Sequence, residues 1–489
     1  MGDPASSTYQ SRISRLLLEL HPEKSTACLG VHRRSLVEAM CANHTINPSL
    51  SNRLRQVTTT LIGSRLRRNI VANYFGMFVS VLLPLVTLPV YLNAFGPQLW
   101  GLVSFVGLFV GMLSLLDAGI SQAMAKEFAE RIARKADGSQ RVANLLFGYE
   151  RIYWLFALVI SIAVLPFTNF IVTRWLDMEG VSDEMGHYAI YVAIALFFVQ
   201  LPGSIYRTAL EGIQQQVLLN KLVSIFAIIR HGLGVGLVLL WPSLLVYLTW
   251  QVACAFVESI VRAIYAWRMT GLPRHNATWD GAEILATLKF SLIMAGSVLL
   301  ALLTMSIDKI YLSTMLPVEQ LGYYSIAFNV VMGLLRLVHP IHAAIQPKLV
   351  ALQCQPDEIR RISFKLLRVT MAIVVAVGIG YMFLGGPLLN VWLRNEFAAA
   401  QIHSVLNWLL IGTALNAIYN IGYINWVAAG KSREILAVNF VSLLVGVAVM
   451  PVSINQYGME GAGVAWVVLN AIGLLFSMGW VMNKKEVHA

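Results

Sequence analysis

Ten ionisable residues fall inside long apolar runs of this chain: Asp117, Arg230, His231, Glu258, Arg262, Asp308, Lys309, Arg336, His339 and His342. A charge in hydrocarbon costs at least ~2.5–3.5 kcal/mol on insertion scales, so each of these needs a partner or water. Their spacing is ordered. Gln251, Glu258 and Arg262 lie on one helical stripe, and Glu258 and Arg262 are one turn apart and can pair. Asn329, Arg336 and His339 share another face. Asn69, Asn73, Ser80, Pro84 and Thr87 form a polar stripe, as do Thr413, Asn416, Asn420 and Tyr423. Turned to a common interior, these stripes would line a hydrated cavity. The rigid guanidinium fork suits phosphate or carboxylate, while Asn, Gln and Tyr suit hydroxyls. The chemistry expected is binding of an anionic, hydroxyl-rich ligand, with Arg230, Arg336, Arg262, Asn73, Asn416 and Asn420 as the contacting set.

Each residue also has a plainer reading. Ser, Thr and Asn in apolar helices often only hold helices together. Glu258–Arg262 can be a structural pair near an interface, and Asp308–Lys309 can anchor a helix end. Arg230 and Arg336 are harder to set aside, because both lie deep and neither has an acidic neighbour one turn away in sequence. Asp117 is either a proton or cation coupling group or a partner for one of these arginines. Glu258, His339 and His342 join it as coupling candidates.

The elements that must position these groups are membrane helices. The chain has 489 residues, 57% hydrophobic and 12% charged, with mean hydropathy +0.67. A soluble domain is about 25% charged, so most of this surface must face lipid. Four cysteines, Cys28, Cys41, Cys254 and Cys354, show no metal or disulfide spacing. No metal, cofactor or catalytic group is expected, and the short outer loops hold no convergent acid/base pair. The net charge of +11 is assigned to helix orientation and not to nucleic acid.

Apolar runs of membrane length lie near 70–92, 99–124, 150–172, 188–210, 218–241 and 243–267, then near 286–312, 320–345, 364–385, 404–427, 434–454 and 462–483. With both termini inside, the inside loops carry 19 Lys and Arg and the outside loops two, Arg174 and Arg394, which sets the direction. Residues 1–67 read as a polar, disordered cytoplasmic tail. A short amphipathic helix at Ile13, Leu16, Leu17 and Leu20 is the alternative there, and Met40 is an alternative start, which would place 1–39 outside the native chain. Residues 68–268 form an N-lobe of six spans, 269–485 a C-lobe of six, and 486–489 a cytoplasmic end.

The two sets of six resemble each other. Leu99-Trp100-Gly101 leads into the second span as Leu321-Gly322-Tyr323 leads into the eighth. Asn220-Lys221-Leu222-Val223-Ser224 is echoed by Asn439-Phe440-Val441-Ser442. Six spans per half make parallel repeats, an arrangement in which transporters bind substrate between the halves and rock them.

Six short motifs, taken in order, carry a family resemblance. They are Arg68-Asn69-Ile70-Val71-Ala72-Asn73-Tyr74-Phe75-Gly76; Asn93-Ala94-Phe95-Gly96; Leu115-Leu116-Asp117-Ala118-Gly119-Ile120; Ser306-Ile307-Asp308-Lys309-Ile310 with Leu321-Gly322-Tyr323-Tyr324; Ala429-Gly430-Lys431-Ser432-Arg433; and Tyr457-Gly458-Met459-Glu460-Gly461-Ala462-Gly463. Over about 68–483 the chain resembles the polysaccharide/oligosaccharide flippases of the multidrug/oligosaccharidyl-lipid/polysaccharide (MOP) transporter superfamily. The resemblance implies an all-α, MATE-like fold of about twelve spans in two six-helix lobes related by a pseudo-two-fold axis. It implies alternating access in an inner membrane, with both termini cytoplasmic. The implied substrate is a polyprenyl-pyrophosphate-linked oligosaccharide, moved to the outer leaflet for O-antigen, capsule or exopolysaccharide assembly. Proton or sodium coupling and contact with polysaccharide polymerase machinery belong to the same expectation. The alternative is a cation-coupled multidrug exporter of the same superfamily. The long N-terminal tail and the histidines at 339 and 342 depart from the family pattern.

Overall fold

In hydrocarbon every backbone N–H and C=O must find its partner within the chain, so each apolar run is expected to be helical. The computed structural model describes residues 48–117, 120–133, 138–279, 281, 299–352 and 355–478, excepting the side chains of 48–78, 80, 81, 116, 122, 123, 133, 138, 343 and 347. By its internal contacts the chain divides at Gly63–Ser64. Of the first unit only the helical stretch from Pro48 is described, and the possible amphipathic helix at residues 13–20 lies outside the described residues.

Helix α1 (Pro48–Ser114) holds the first two spans, broken at Gly96, whose φ of 80° is open to glycine and strained for other residues. It starts about twenty residues before the first apolar run, with proline in its opening turn. The helix thus takes in residues 48–67 as well as the first apolar run. A single turn at Leu115–Asp117 ends the second span, and α2 (Ile120–Ala133) follows. The N-half is completed by α3 (Gly138–Val164), α4 (Asp183–Gly212), α5 (Gln216–Leu240) and α6 (Leu244–Thr270). The C-half holds α7 (Ile307–Met315), α8 (Val318–Ala351), α9 (Pro356–Leu393), α10 (Glu396–Ala429), α11 (Ser432–Tyr457) and α12 (Met459–Ser477). Ten of the described helical segments are long and apolar enough to cross a membrane.

The helix ends alternate between a basic end, where the Lys- and Arg-rich loops lie, and an end poor in positive charge, charge-poor in that sense alone. The halves are joined at the charge-poor end. One apolar core runs through both there, including Leu102, Phe105 and Ile190 of the N-half and Leu312, Leu321 and Ile402 of the C-half. Trp175 Nε1 donates to Ser313 Oγ at 2.9 Å, Gln98 Nε2 to Glu319 Oε2 at 3.0 Å, and Val318 N to Asp177 O at 3.1 Å. The backbones meet at the matching glycines of the two repeats: a Cβ on Gly101 would lie 1.9 Å from Val318 O, and one on Gly322 2.9 Å from Gly101 N. Toward the basic end the cores separate. Met124, Phe128, Leu145 and Ile205 pack within the N-half, and Leu349, Leu366 and Ile421 within the C-half.

Gly271 caps α6 in the left-handed conformation, and the segment after it folds back onto α3. Gln140 Nε2 donates to Asn276 O (2.9 Å), Thr278 N donates to Asn144 Oδ1 (2.9 Å), and Arg274 pairs with the buried Glu150 at 3.2 Å. This segment therefore packs on the N-half.

Candidate functional site

Three of the expected residues come together in the N-half. Glu258, on α6, holds Arg230 of α5 through Oε2 at 2.7 Å and Arg262 of its own helix through Oε1. The one-turn spacing of Glu258 and Arg262 produces the pair that the sequence allowed. Arg230 corrects the expectation: it has no acidic partner within its own helix, but α6 supplies one. All three side chains are mostly buried, at 23%, 13% and 17% exposure in the order Arg230, Glu258, Arg262. At 1.5 Å per residue Arg230 lies about 21 Å along α5, near mid-membrane.

Local backbone geometry places Arg230. Residues Ile229–Leu233 form one π-helical turn, a feature that recurs at functional sites because it leaves backbone carbonyls unspoken for. Here those carbonyls are recruited. Trp250 Nε1 donates to Arg230 O at 2.9 Å, and Tyr91 OH donates to His231 O at 3.2 Å. Thr87 Oγ1 lies 3.4 Å from His231 Nδ1. The widened turn is thus fixed from α6 and α1, and Arg230 is aimed at Glu258.

A cavity of about 340 Å³ opens beside this triad, lined by Asp117, Gln200, Ser204, Arg207, Ser259 and the triad itself. Asp117 sits in the single turn where the second span stops, so its carboxylate is free of any long helix face. Its Oδ1 accepts from Tyr153 OH, and its Oδ2 accepts from Ser121 Oγ at 2.7 Å and Ser204 Oγ at 3.0 Å. Of the two readings open for Asp117, pairing with an arginine is set aside, because three hydroxyls surround it instead. Three guanidiniums and two carboxylates line the cavity, and Arg207 is shared with Glu211 at 2.9 Å. Arg262 Nε is buried without a hydrogen-bond partner among the described residues. The arrangement can take up an anion that competes with Glu258 for the two arginines.

The other expected residues lie elsewhere. Arg336 and His339 are exposed on α8, about 27 Å and 32 Å from its first residue, and Arg336 makes no ion pair among the described residues. Its neighbour His342 is buried, with Nε2 3.2 Å from Thr370 Oγ1. The side chains of Asn69, Asn73 and Ser80 lie outside the described residues. The α10 stripe corrects the expectation of a cavity wall. Asn416 is 4% exposed and donates to Asn470 Oδ1 at 2.6 Å, while Asn420 Nδ2 donates to Asn416 Oδ1 at 2.8 Å. Thr413 accepts from Trp466 Nε1 at 3.1 Å. These amides and hydroxyls tie α10 to α12, where an unpaired polar group would be costly. Asp308 is likewise buried and accepts from Tyr324 OH at 2.6 Å, and Lys309 Nζ lies 3.1 Å from it and 3.4 Å from the Phe328 ring centroid. Sequence reasoning missed Tyr153, Ser204 and Trp250. Ser121, one turn after Asp117, carried a legible signal; the other three reach the site from separate helices.

The comparisons agree with this architecture. The family model described as "Polysaccharide biosynthesis protein" matches residues 66–353. A Shigella flexneri protein described as "Putative O-antigen transporter" is 22% identical over 419 residues, covering 83% of this chain and 96% of that one. An inward-facing multidrug resistance MATE family transporter of the MOP superfamily superimposes with TM-score 0.69 at 16% identity, over 86% of this chain and 99% of that one. Lipid II flippase MurJ in its inward closed conformation gives TM-score 0.66 at 12% identity, over 85% and 87%.

Proposed function

The chain belongs to the polysaccharide biosynthesis protein family, and from that premise we propose that it is a flippase for lipid-linked oligosaccharide, acting by alternating access. The observation that carries this reading is the arginine-lined cavity near mid-membrane. Buried guanidinium favours phosphate-bearing ligands, and a polyprenyl-pyrophosphate headgroup has that chemistry. The fold is shared with multidrug exporters and does not separate the two readings; the sign of the cavity favours the flippase. A site for cationic drugs would want an excess of carboxylate.

The basic end is assigned to the cytoplasmic face of an inner membrane by its loop charge, with both chain termini on that side. The junction of Gly101 with Gly322 then closes the outer side, and the halves part toward the cytoplasm. Headgroup entering from there meets Arg262, Arg230 and Arg207, and displaces Glu258. Arg336 supplies a cation from the C-half. The polyprenyl tail stays in lipid while the halves rock about the glycine junction. Asp117, held by hydroxyls rather than by a cation, is the group placed to take a proton or sodium ion, with His339 and His342 as further candidates. Polysaccharide polymerase machinery is the partner assigned to receive the product.

Leaflet-resolved transport in proteoliposomes tests this. A polyprenyl-pyrophosphate oligosaccharide is supplied on one face and a sugar-binding probe reads the other. Protein-dependent transfer is expected, reduced in Arg336→Ala with normal membrane insertion. Wild-type transfer in that variant would remove Arg336 from the path, wild-type transfer in Arg230→Ala would sink the cationic cavity, and export of cationic dyes without sugar transfer would support the exporter reading.

A further inference from the structure

A second cavity among the described residues lies well away from the arginines. It is a groove of about 870 Å³ at the charge-poor end of the C-half. Asn390 of α9, Glu396, His403, Asn407 and Trp408 of α10, and Glu460 of α12 line it. Asn407 lies about 17 Å from the first residue of α10, within the depth of a membrane span. Around it the outward-facing surface is apolar, as lipid requires: Leu388, Val391, Phe397 and Ile411 are all exposed.

Two members of this polar set, Asn390 and Asn407, make no contact that holds the fold. Among the described residues the Asn390 and Asn407 side chains have no hydrogen-bond partner. A bare amide facing hydrocarbon costs several kcal/mol, so the groove must hold water or a ligand that water can precede. Other members are fixed in place. Tyr381 stacks on the His403 ring, with centroids 5.4 Å apart, and donates to His403 O at 3.3 Å. Trp408 Nε1 donates to Glu460 Oε2 at 3.4 Å.

The repeat supplies a control within the same molecule. Ser182 and Asn395 cap α4 and α10 in the same way, each accepting from the backbone N–H three residues on. Aligning the two caps places Ile190, Tyr191, Ile194 and Ala195 where the C-half has His403, Ser404, Asn407 and Trp408. In the N-half the gap between α4 and α6 is also bridged, by Tyr188 OH and Thr249 Oγ1 at 2.6 Å. One half thus has a mostly apolar set at this place and the other a polar one.

We infer that this groove is a second ligand site, one that takes a non-anionic sugar chain. Its two amides match hydroxyl donors and acceptors alike, its carboxylates accept from hydroxyls, and an indole offers an apolar face for a sugar ring. No Lys or Arg lines it, and two carboxylates do, so phosphate is disfavoured. The inference rests on the flippase reading for the source of the ligand, the sugar portion of a lipid-linked oligosaccharide, and on the groove alone for its chemistry.

The test uses the full chain in nanodiscs, with the four native cysteines replaced and Ala400→Cys placed in the groove wall. Labelling of that cysteine by a membrane-impermeant maleimide is timed with free chitotetraose or cellotetraose, and separately with a lactose-headed lipid in the bilayer. At a probe concentration about four times Kd, occupancy alone slows labelling about fivefold. That slowing is expected, is lost in Asn407→Leu and in Trp408→Leu, and persists in Arg336→Ala. Protection by the glycolipid alone identifies a tethered sugar, and protection by free glycan identifies the sugar itself; both support the site. Unchanged labelling with every probe, or protection that survives both groove substitutions, would overturn it. Intact leaflet transport without protection removes the groove and leaves the flippase. Protection without transport in the wild type does the reverse.

Discussion

Glu258→Gln removes the carboxylate that stands between two guanidiniums. In the wild type each arginine donates to a different oxygen of Glu258. Breaking a fully buried ion pair by removing one partner costs roughly 3–5 kcal/mol, because the remaining charge stays desolvated. The three side chains keep 13–23% exposure, so water recovers part of that, and a loss of about 2–3 kcal/mol is expected. The same change has an opposite effect on anion binding. An anion entering the wild-type cavity must displace Glu258, whereas in the variant it finds both arginines open. Affinity for inorganic pyrophosphate should therefore rise, by about tenfold for each 1.4 kcal/mol of competition removed. Thermal unfolding of purified protein, with and without pyrophosphate, measures both effects. The variant should melt lower alone and gain more from pyrophosphate than the wild type does. A variant that melts like the wild type, or gains no more from pyrophosphate, would refute the reasoning that Glu258 and the ligand compete for the same arginines.

Three further outcomes follow from the packing. Gly101→Val puts side-chain atoms into Val318 O, where even a Cβ would lie at 1.9 Å; overpacking of this kind costs roughly 1–3 kcal/mol. It should open the charge-poor junction, read as faster maleimide labelling of a cysteine at Gln98, and unchanged labelling would count against the junction. Asn470→Ala leaves the buried Asn416 amide without its 2.6 Å acceptor and should destabilise the protein by about 1–3 kcal/mol, with anion binding unaffected; a change in pyrophosphate affinity would return Asn416 to the site. Arg274→Ala removes the ion pair that holds the segment after α6 to Glu150, and hydrogen exchange at 271–279 should quicken, whereas identical protection would show that Gln140 and Asn144 suffice.

The sequence by itself determined the class of this molecule. Scarce charge and twelve apolar runs leave only lipid as solvent, and hydrocarbon leaves only helix as backbone structure. The loop charges indicated a direction and the repeated motifs indicated two halves, because both signals are local in sequence. The Glu258–Arg262 pair was legible for the same reason, being one turn apart on one helix. Tertiary structure decided everything that depends on which helix faces which. It brought Glu258 to Arg230 across two helices, surrounded Asp117 with hydroxyls from α2, α3 and α4, and turned Asn416 toward α12 rather than toward a cavity. A polar stripe on a membrane helix reads the same in sequence whether it meets water, a ligand or another polar stripe, and only the neighbouring helix distinguishes them. Gly101 and Gly322 show both sides of this. Their matching places in the repeat were visible in the sequence, but their contact at the junction of the halves follows from the packing of the two halves and was not.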